Sequence, residues 1–465
     1  MNSILLLSLL TVANLFTGFS KNKNISYILS FVGIAASAVL LTLLWNGNTS
    51  TELLNASFVN HMLTFDNTAI VFSILLCVNA ALVVLLHHSH EEAMDIPAAE
   101  FITLVLSMLV GGICMVSYTN LTMLFLGLEI LSISAYILAG ARKRDYRSNE
   151  AALKYYLMGA FATGVFLFGV ALIYGATGSF DITEIAQYAA LPEHSSIYYV
   201  GILLLMIAFG FKIAAAPFHF WTPDVYTGAP TLVTALMSTL IKTAAIVAFY
   251  RLFNTCFSTI TNWSTVLTIM AAVAMGIGNI TAVVQTNVKR MLAYSSIAHS
   301  GYLLFAIFAL GANSGASLLV YTAGYTFASL LAFAGIIVVQ HHTQSNDLSA
   351  FNGLGKRNPI LAVCITMAML SLAGIPPLAG FFGKFYIFTN AINANYIAIT
   401  LWAVLMSCVG VYYYLRLVIN MFFKPADDAE AAQMIIPPSY QLVMGICLSL
   451  VVLLGVAPGI LSGII

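Results

Sequence analysis

Residues 203–230 read LLLMIAFGFKIAAAPFHFWTPDVYTGAP. An apolar helical run carries one isolated cation, Lys212, and then meets Pro217, Pro223 and Pro230. A charge at the centre of a bilayer costs roughly 2.5–3.5 kcal/mol and marks function far more often than structure. Proline removes an intrahelical hydrogen bond, and carbonyls freed inside a membrane are tolerated only where protein or water satisfies them. A second stretch, LAGIPPLAGFFGKF at 372–385, joins Pro376 and Pro377 to Lys384 in the same way. Two broken membrane helices, each with a lysine beside the break, are therefore predicted.

The rest of the chain fits that reading. A membrane-spanning helix needs about 20 mostly apolar residues. Such runs lie near 3–20, 25–45, 64–88, 98–118, 119–140, 150–175, 196–216, 229–253, 262–284, 288–311, 317–340, 358–390, 396–423 and 438–464. They predict an all-α membrane protein of about fourteen transmembrane helices, with 46–63 and 424–437 as its longest loops. The first run lacks a cationic start and a small-residue cleavage site, so it reads as a retained helix. Over 465 residues, 61% are hydrophobic and 7% charged, against about 25% charged in soluble domains. A soluble enzyme of this size is excluded. The 17 basic and 17 acidic residues balance, leaving no field to attract nucleic acid.

No redox or metal chemistry is read in this chain. The six cysteines stand singly in apolar runs, with no CxxC or Cys/His cluster, and no Rossmann or P-loop pattern occurs. HHSHEE at 87–92 offers metal-friendly side chains but no second cluster, and is not read as a metal site. His341 and His342 read as loop residues.

Charge sets the expected orientation. The loops after runs 1, 5, 9, 11 and 13 carry Lys21 and Lys23; Arg142, Lys143, Arg144 and Arg147; Lys289 and Arg290; Lys356 and Arg357; and Lys424. Only Arg251 lies on the opposite face. By the positive-inside rule those loops are cytoplasmic and both termini lie on the non-cytoplasmic side. The remaining cations, Lys154, Lys212, Lys242, Lys384 and Arg416, fall inside predicted helices, as does Glu129. Snorkelling from a helix end suits Lys154 and Arg416 in part, but suits Glu129 and Lys242 badly.

Polar residues recur at helical spacing around these charges. Thr122, Glu129, Ser132 and Tyr136 form one stripe, and Thr231, Thr234, Ser238 and Lys242 another. Ser295, His299 and Tyr302 form a third, and Thr322, Tyr325 and Ser329 a fourth. One such stripe is ordinary interhelical hydrogen bonding; four of them point toward hydrated proton paths. Lysine suits a proton path because its ionisation responds strongly to burial and to a nearby carboxylate.

Runs 4–8 and 9–13 form two units of five helices, each broken in its fourth helix. A five-helix unit inverts its successor, and paired interrupted helices in inverted halves point to a transport site near the midplane. The predicted organisation is 1–97, three N-terminal helices; 98–253, a first repeat broken near Pro217; 262–423, a second broken near Pro376; and 424–465, a loop and last helix. Lys212 precedes its break and Lys384 follows its break, an order taken as a mark of the inversion.

The stretches FKIAAAPFHFWTPDVYTGAPT (211–231), VKRMLAYSSIAHSGY (288–302) and LSLAGIPPLAGFFGKFYIF (370–388) resemble the antiporter-like membrane subunits of proton-pumping NADH:quinone oxidoreductase, respiratory complex I. The resemblance covers about 98–423. PFHFWTPDVY together with Lys242 matches the subunit N branch rather than the larger subunits. It implies a proton relay in which Glu129 pairs with Lys212, Lys242 is the central carrier, Lys384 lies on the broken twelfth helix, and Lys154 is a further family lysine. His299 joins this relay from the polar stripes. The resemblance also implies that NADH, FMN, iron–sulfur clusters and quinone belong to other subunits and that partners are the other membrane-arm subunits; the full fourteen-helix length points to a bacterial plasma membrane. Two other readings compete: a subunit of a multisubunit sodium/proton antiporter or membrane-bound hydrogenase, and an inert membrane scaffold.

Overall fold

A computed structural model describes residues 2–20, 22–45, 61–89, 96–258, 262–311, 313–425 and 434–464. Every predicted run is helical. The spans are α1 Asn2–Thr17, α2 Asn24–Leu43, α3 Asn67–His88, α4 Ala98–Ser117, α5 Leu121–Ala139 and α6 Tyr146–Thr177. Then follow α7a Ser196–Lys212 and α7b Trp221–Gly228, α8 Thr231–Cys256, α9 Asn262–Val283, α10 Val288–Leu303 and α11 Ser314–Thr343. The last are α12a Pro359–Ala373 and α12b Ala379–Asn393, α13 Ile397–Phe423 and α14 Pro438–Val456. Eleven of these are long and apolar enough to cross a membrane, and α1, α7a and α12a are shorter apolar helices. Among the described residues β structure is limited to three isolated bridges.

Most of the 46–63 loop, most of 424–437 and residues 90–92 of HHSHEE lie outside the described residues. His341 and His342, read as loop residues, instead occupy the last turn of α11. Apolar windows locate helices but not their polar ends, which explains the shift.

The chain forms two compact units, Met1–Ile213 with Leu240–Leu267, and Ala214–Thr239 with Thr268–Ile465. In the first, α4 and α5 cross at glycines. A Cβ on Gly111 would lie 2.6 Å from the Gly127 carbonyl oxygen, and one on Gly127 would lie 2.8 Å from that of Gly111. Small residues at a membrane helix crossing let the backbones approach where lipid offers no hydrophobic drive. Arg251 of α8 donates from Nε to the Tyr118 carbonyl (2.9 Å) and pairs with Asp66 (2.8 Å), satisfying a carbonyl at the end of α4. A buried network of Asn14, Ser26 and Thr103 ties α1 to α2 and α4.

In the second unit α11 is buried along its length and packs on α12a, α12b and α14. Arg416 of α13 donates to the carbonyls of Val283 (2.9 Å) and Gln285 (3.3 Å) at the end of α9. Arg416 thus does for α9 what Arg251 does for α4.

A finer device occurs once in each unit. After α6, Thr177, Ser179 and Asp181 form a hook: Asp181 N–H donates to Ser179 Oγ, and Ser179 N–H to Thr177 Oγ1. After α11, Thr343, Ser345 and Asp347 make the same bonds. Each hook ends in an antiparallel bridge to the asparagine that caps the preceding helix, α5 or α10: Asn120↔Asp181 and Asn287↔Asp347.

Candidate functional site: two buried polar clusters at broken helices

In the first unit the charges gather where α7a ends. Lys212 is the last residue of α7a, where unpaired carbonyls and the helix dipole favour a cation. Its side chain is buried (7% exposed), and Nζ donates to Ser132 Oγ at 2.6 Å. Tyr136 flanks it, with the ring centroid 6.0 Å from Nζ. Glu129, one turn before Ser132 on α5, accepts from Thr163 Oγ1 of α6 at 2.7 Å and lies within electrostatic reach of Lys212. Lys212 and Glu129 thus lie along the same stretch of α5 but are bonded to different partners, Ser132 and Thr163. A small cavity beside it is lined by Tyr136, Gly159, Thr163, Phe166 and Lys212.

Lys242, 3% exposed, begins the α-helical part of α8 after a π turn at Met237–Ile241. Single π turns within α-helices recur at functional sites because they free backbone groups locally. Lys154 has a different setting: on α6 it pairs with Glu150 at 2.8 Å, and both side chains are about two-fifths exposed.

In the second unit the interruption of α12 builds a cation cradle. Gly374 ends α12a at φ +85°, and a Cβ there would crowd Lys384 Cδ at 3.0 Å. Pro376 and Pro377 follow, and α12b restarts at Ala379. The Lys384 ammonium donates to the carbonyls of Leu372 (3.2 Å) and Ala373 (2.9 Å) and to Ser407 Oγ of α13 (2.9 Å). The carbonyls released at the break are therefore satisfied by the lysine itself. Gly455 of α14 makes room for this geometry, since a Cβ there would meet the Pro377 carbonyl oxygen at 1.9 Å.

His299 of α10, 4% exposed, contacts the hydroxyls of Tyr321 through Nδ1 (2.7 Å) and Tyr414 through Nε2 (3.3 Å). Tyr414 is also bonded to Ser295, and Tyr325 donates to Ser296 at 3.1 Å. A second small cavity is lined by His299, Tyr321, Tyr325, Ser371 and Gly380. The other interrupted segment, around Pro217, contains Ala214 at φ +59°, a left-handed conformation that costs a non-glycine residue roughly 1–2 kcal/mol.

The break order needs one correction. Two repeats related by inversion keep the same chain order, so Lys384, after its break, is not the positional counterpart of Lys212, before its break. Lys289 also differs from its reading as a loop cation. It is 2% exposed in the first turn of α10 and donates to the carbonyls of Thr227 (3.1 Å) and Ala229 (2.7 Å) at the end of α7b. Its neighbour Arg290 pairs with Asp224 of α7b at 3.2 Å. The roles of Thr163, Asn279, Tyr321, Ser407, Tyr413 and Tyr414 are not legible in the sequence, because an uncharged polar residue in an apolar helix gives no local signal of its partner.

Residues 118–410 match the family described as NADH:quinone oxidoreductase/Mrp antiporter, TM. A relative from Cytophaga hutchinsonii, NADH-quinone oxidoreductase subunit N, is 41% identical over 99% of this chain and 98% of its own length. A chain in the solved respiratory complex I from Thermus thermophilus with bound aureothin superposes with TM-score 0.82 at 32% identity, covering 99% of this chain and 98% of that one. A chain of the Mrp complex from Dietzia superposes with TM-score 0.86 at 18% identity, covering 99% of this chain and 95% of that one, a likeness of fold alone.

Proposed function

Because the chain belongs to the NADH-quinone oxidoreductase subunit N family, we propose that it translocates protons across the bacterial plasma membrane while electron transfer runs in other subunits. Lys212, Lys242, His299 and Lys384 carry the proton, Glu129 modulates Lys212, and Lys154 belongs to the same set. The observation that carries this reading is the Lys384 cradle. A broken helix inside an apolar chain holds an ammonium group on two carbonyls and a serine hydroxyl, a titratable cation where a neutral donor would be enough to satisfy the break. Buried unpaired charge is poor structural material.

In the mechanism, a neighbouring subunit alters the field at Glu129. The carboxylate then moves toward or away from the Lys212–Ser132 contact, which retains or releases the lysine's proton. Moving one charge against 100 mV requires about 2.3 kcal/mol, within reach of a changed ion-pair distance in a low-dielectric interior. NADH, FMN, iron–sulfur clusters and quinone are assigned to partner subunits, and the partners are other subunits of the membrane arm. Both termini are assigned to the non-cytoplasmic side from the distribution of loop cations. The five-helix repeats at 98–253 and 262–423 are supported by the matched hooks and arginine contacts.

A sodium/proton antiporter subunit would share the fold, but the higher identity to subunit N favours the oxidoreductase. The test is Lys384→Ala in the assembled complex in sealed vesicles, with NADH oxidation and gradient formation measured together. Both should fall severalfold with assembly retained. Wild-type rates of both NADH oxidation and gradient formation in the assembled variant would refute translocation through Lys384.

A further inference from the structure

Asn279 of α9 is 1% exposed and takes part in three hydrogen bonds within the second unit. Its Nδ2 donates to the Met275 carbonyl (2.9 Å) and the Tyr302 hydroxyl (3.1 Å), and its Oδ1 accepts from the Tyr413 hydroxyl (3.1 Å). Turning the amide over would set Oδ1 against the Met275 carbonyl, acceptor against acceptor, so its orientation follows from the network. Gly410 of α13 leaves the space, since a Cβ there would lie 3.0 Å from Oδ1.

The amide links two groups of ionisable side chains by hydrogen bonds; the groups also approach each other at the His299–Tyr302 ring contact (5.8 Å between centroids), which carries no proton. On one side Tyr302 places its ring centroid 5.0 Å from Lys384 Nζ. On the other, the Tyr413 ring lies 4.4 Å from that of Tyr414, whose hydroxyl reaches His299 and Ser295. A hydroxyl passes a proton by accepting one and releasing its own. A carboxamide has separate donor and acceptor ends, so it relays a proton only through its unfavourable imidic-acid tautomer. It conducts a hydrogen bond but not a proton.

We infer that Asn279 is a positioning residue that insulates the Lys384–Tyr302 group from the His299–Tyr414–Tyr413 group while fixing the direction of both tyrosine hydroxyls. Since Asn279 donates to Tyr302, the Tyr302 O–H is left for another acceptor. Since Oδ1 accepts, the Tyr413 proton is committed to Asn279. Exchange between His299 and Lys384 is then forced through a route that can be gated, instead of a permanent wire. The inference rests on the proton-translocation reading.

The test uses the assembled complex in sealed membrane vesicles oxidising NADH. Asn279→Asp keeps the shape but supplies a carboxyl that accepts and releases protons. The gradient formed per NADH oxidised should fall at least twofold, and adding Tyr302→Phe, which removes one end of the wire, should restore it. Asn279→Ser, whose hydroxyl also relays, should leak in the same direction and serves if the carboxyl blocks assembly. A wild-type gradient per NADH in whichever of the two assembles would overturn the inference, as would a loss that Tyr302→Phe does not reverse. Lys384→Ala, run alongside, separates the two ideas. If it pumps normally, the translocation reading fails. If it is impaired while the Asn279 variants stay tight, only the insulation fails.

Discussion

Gly159 of α6 faces Tyr136 of α5 so closely that a Cβ on the glycine would lie 2.0 Å from the tyrosine hydroxyl. The glycine is the seat of the ring that flanks Lys212. Overpacking of this kind costs about 1–3 kcal/mol, and here the ring can yield only by leaving its place in the cluster. Gly159→Ala should leave the complex assembled but reduce proton pumping severalfold, and adding Tyr136→Phe should recover part of the loss. Unaltered pumping in Gly159→Ala would show that the ring position is immaterial.

Glu129→Gln removes a charge without changing shape, and Lys242→Ala removes the central ammonium. Near-normal assembly is expected for both, with quinone-linked turnover and pumping strongly reduced in at least the Glu129 variant. Full pumping in both would remove the proposed relay. Lys154→Ala should have the smallest effect of the lysine replacements. An exposed i,i+4 pair such as Lys154–Glu150 contributes about 0.3–0.5 kcal/mol.

The two arginine contacts predict stability rather than activity. Arg251→Met strands the Tyr118 carbonyl and Asp66, and Arg416→Met strands the Val283 and Gln285 carbonyls. Leaving the buried Tyr118 acceptor unsatisfied costs about 1–3 kcal/mol, and the carbonyls of the partly exposed Val283 and Gln285 cost less. Each variant should lower the thermal midpoint of the purified complex, with lysine at either position recovering part of it. Equal midpoints for wild type and both variants would contradict the role assigned to these side chains.

Ligand binding offers a separate check. Purified alone in detergent, the chain should bind neither NADH nor a quinone analogue stoichiometrically in calorimetry. Tight binding of either would place electron chemistry nearer to this subunit than proposed.

The helices and both interruptions could be read from the sequence because apolar runs and proline act locally. Glu129, Lys212, Lys242 and Lys384 stood out because charge in such runs is rare. The partners could not be read in this way. Thr163 reaches Glu129 across 34 positions, and Tyr413 reaches Asn279 across 134, distances that only helix packing closes. Lys289 misled for the opposite reason. A cation at a helix start looks like a loop charge until the neighbouring half-helix brings its carbonyls to it.

The hooks that end α6 and α11 allow the two halves to be compared position by position. Nine residues beyond Asn120 stands Glu129, and nine beyond Asn287 stands Ser296. Twelve beyond, Ser132 answers to His299. The same backbone template therefore presents a carboxylate and an alcohol in one half, an alcohol and an imidazole in the other. A palindromic conduit would run equally well in either sense. Chemical unlikeness at matched stations is what gives such a conduit a heading.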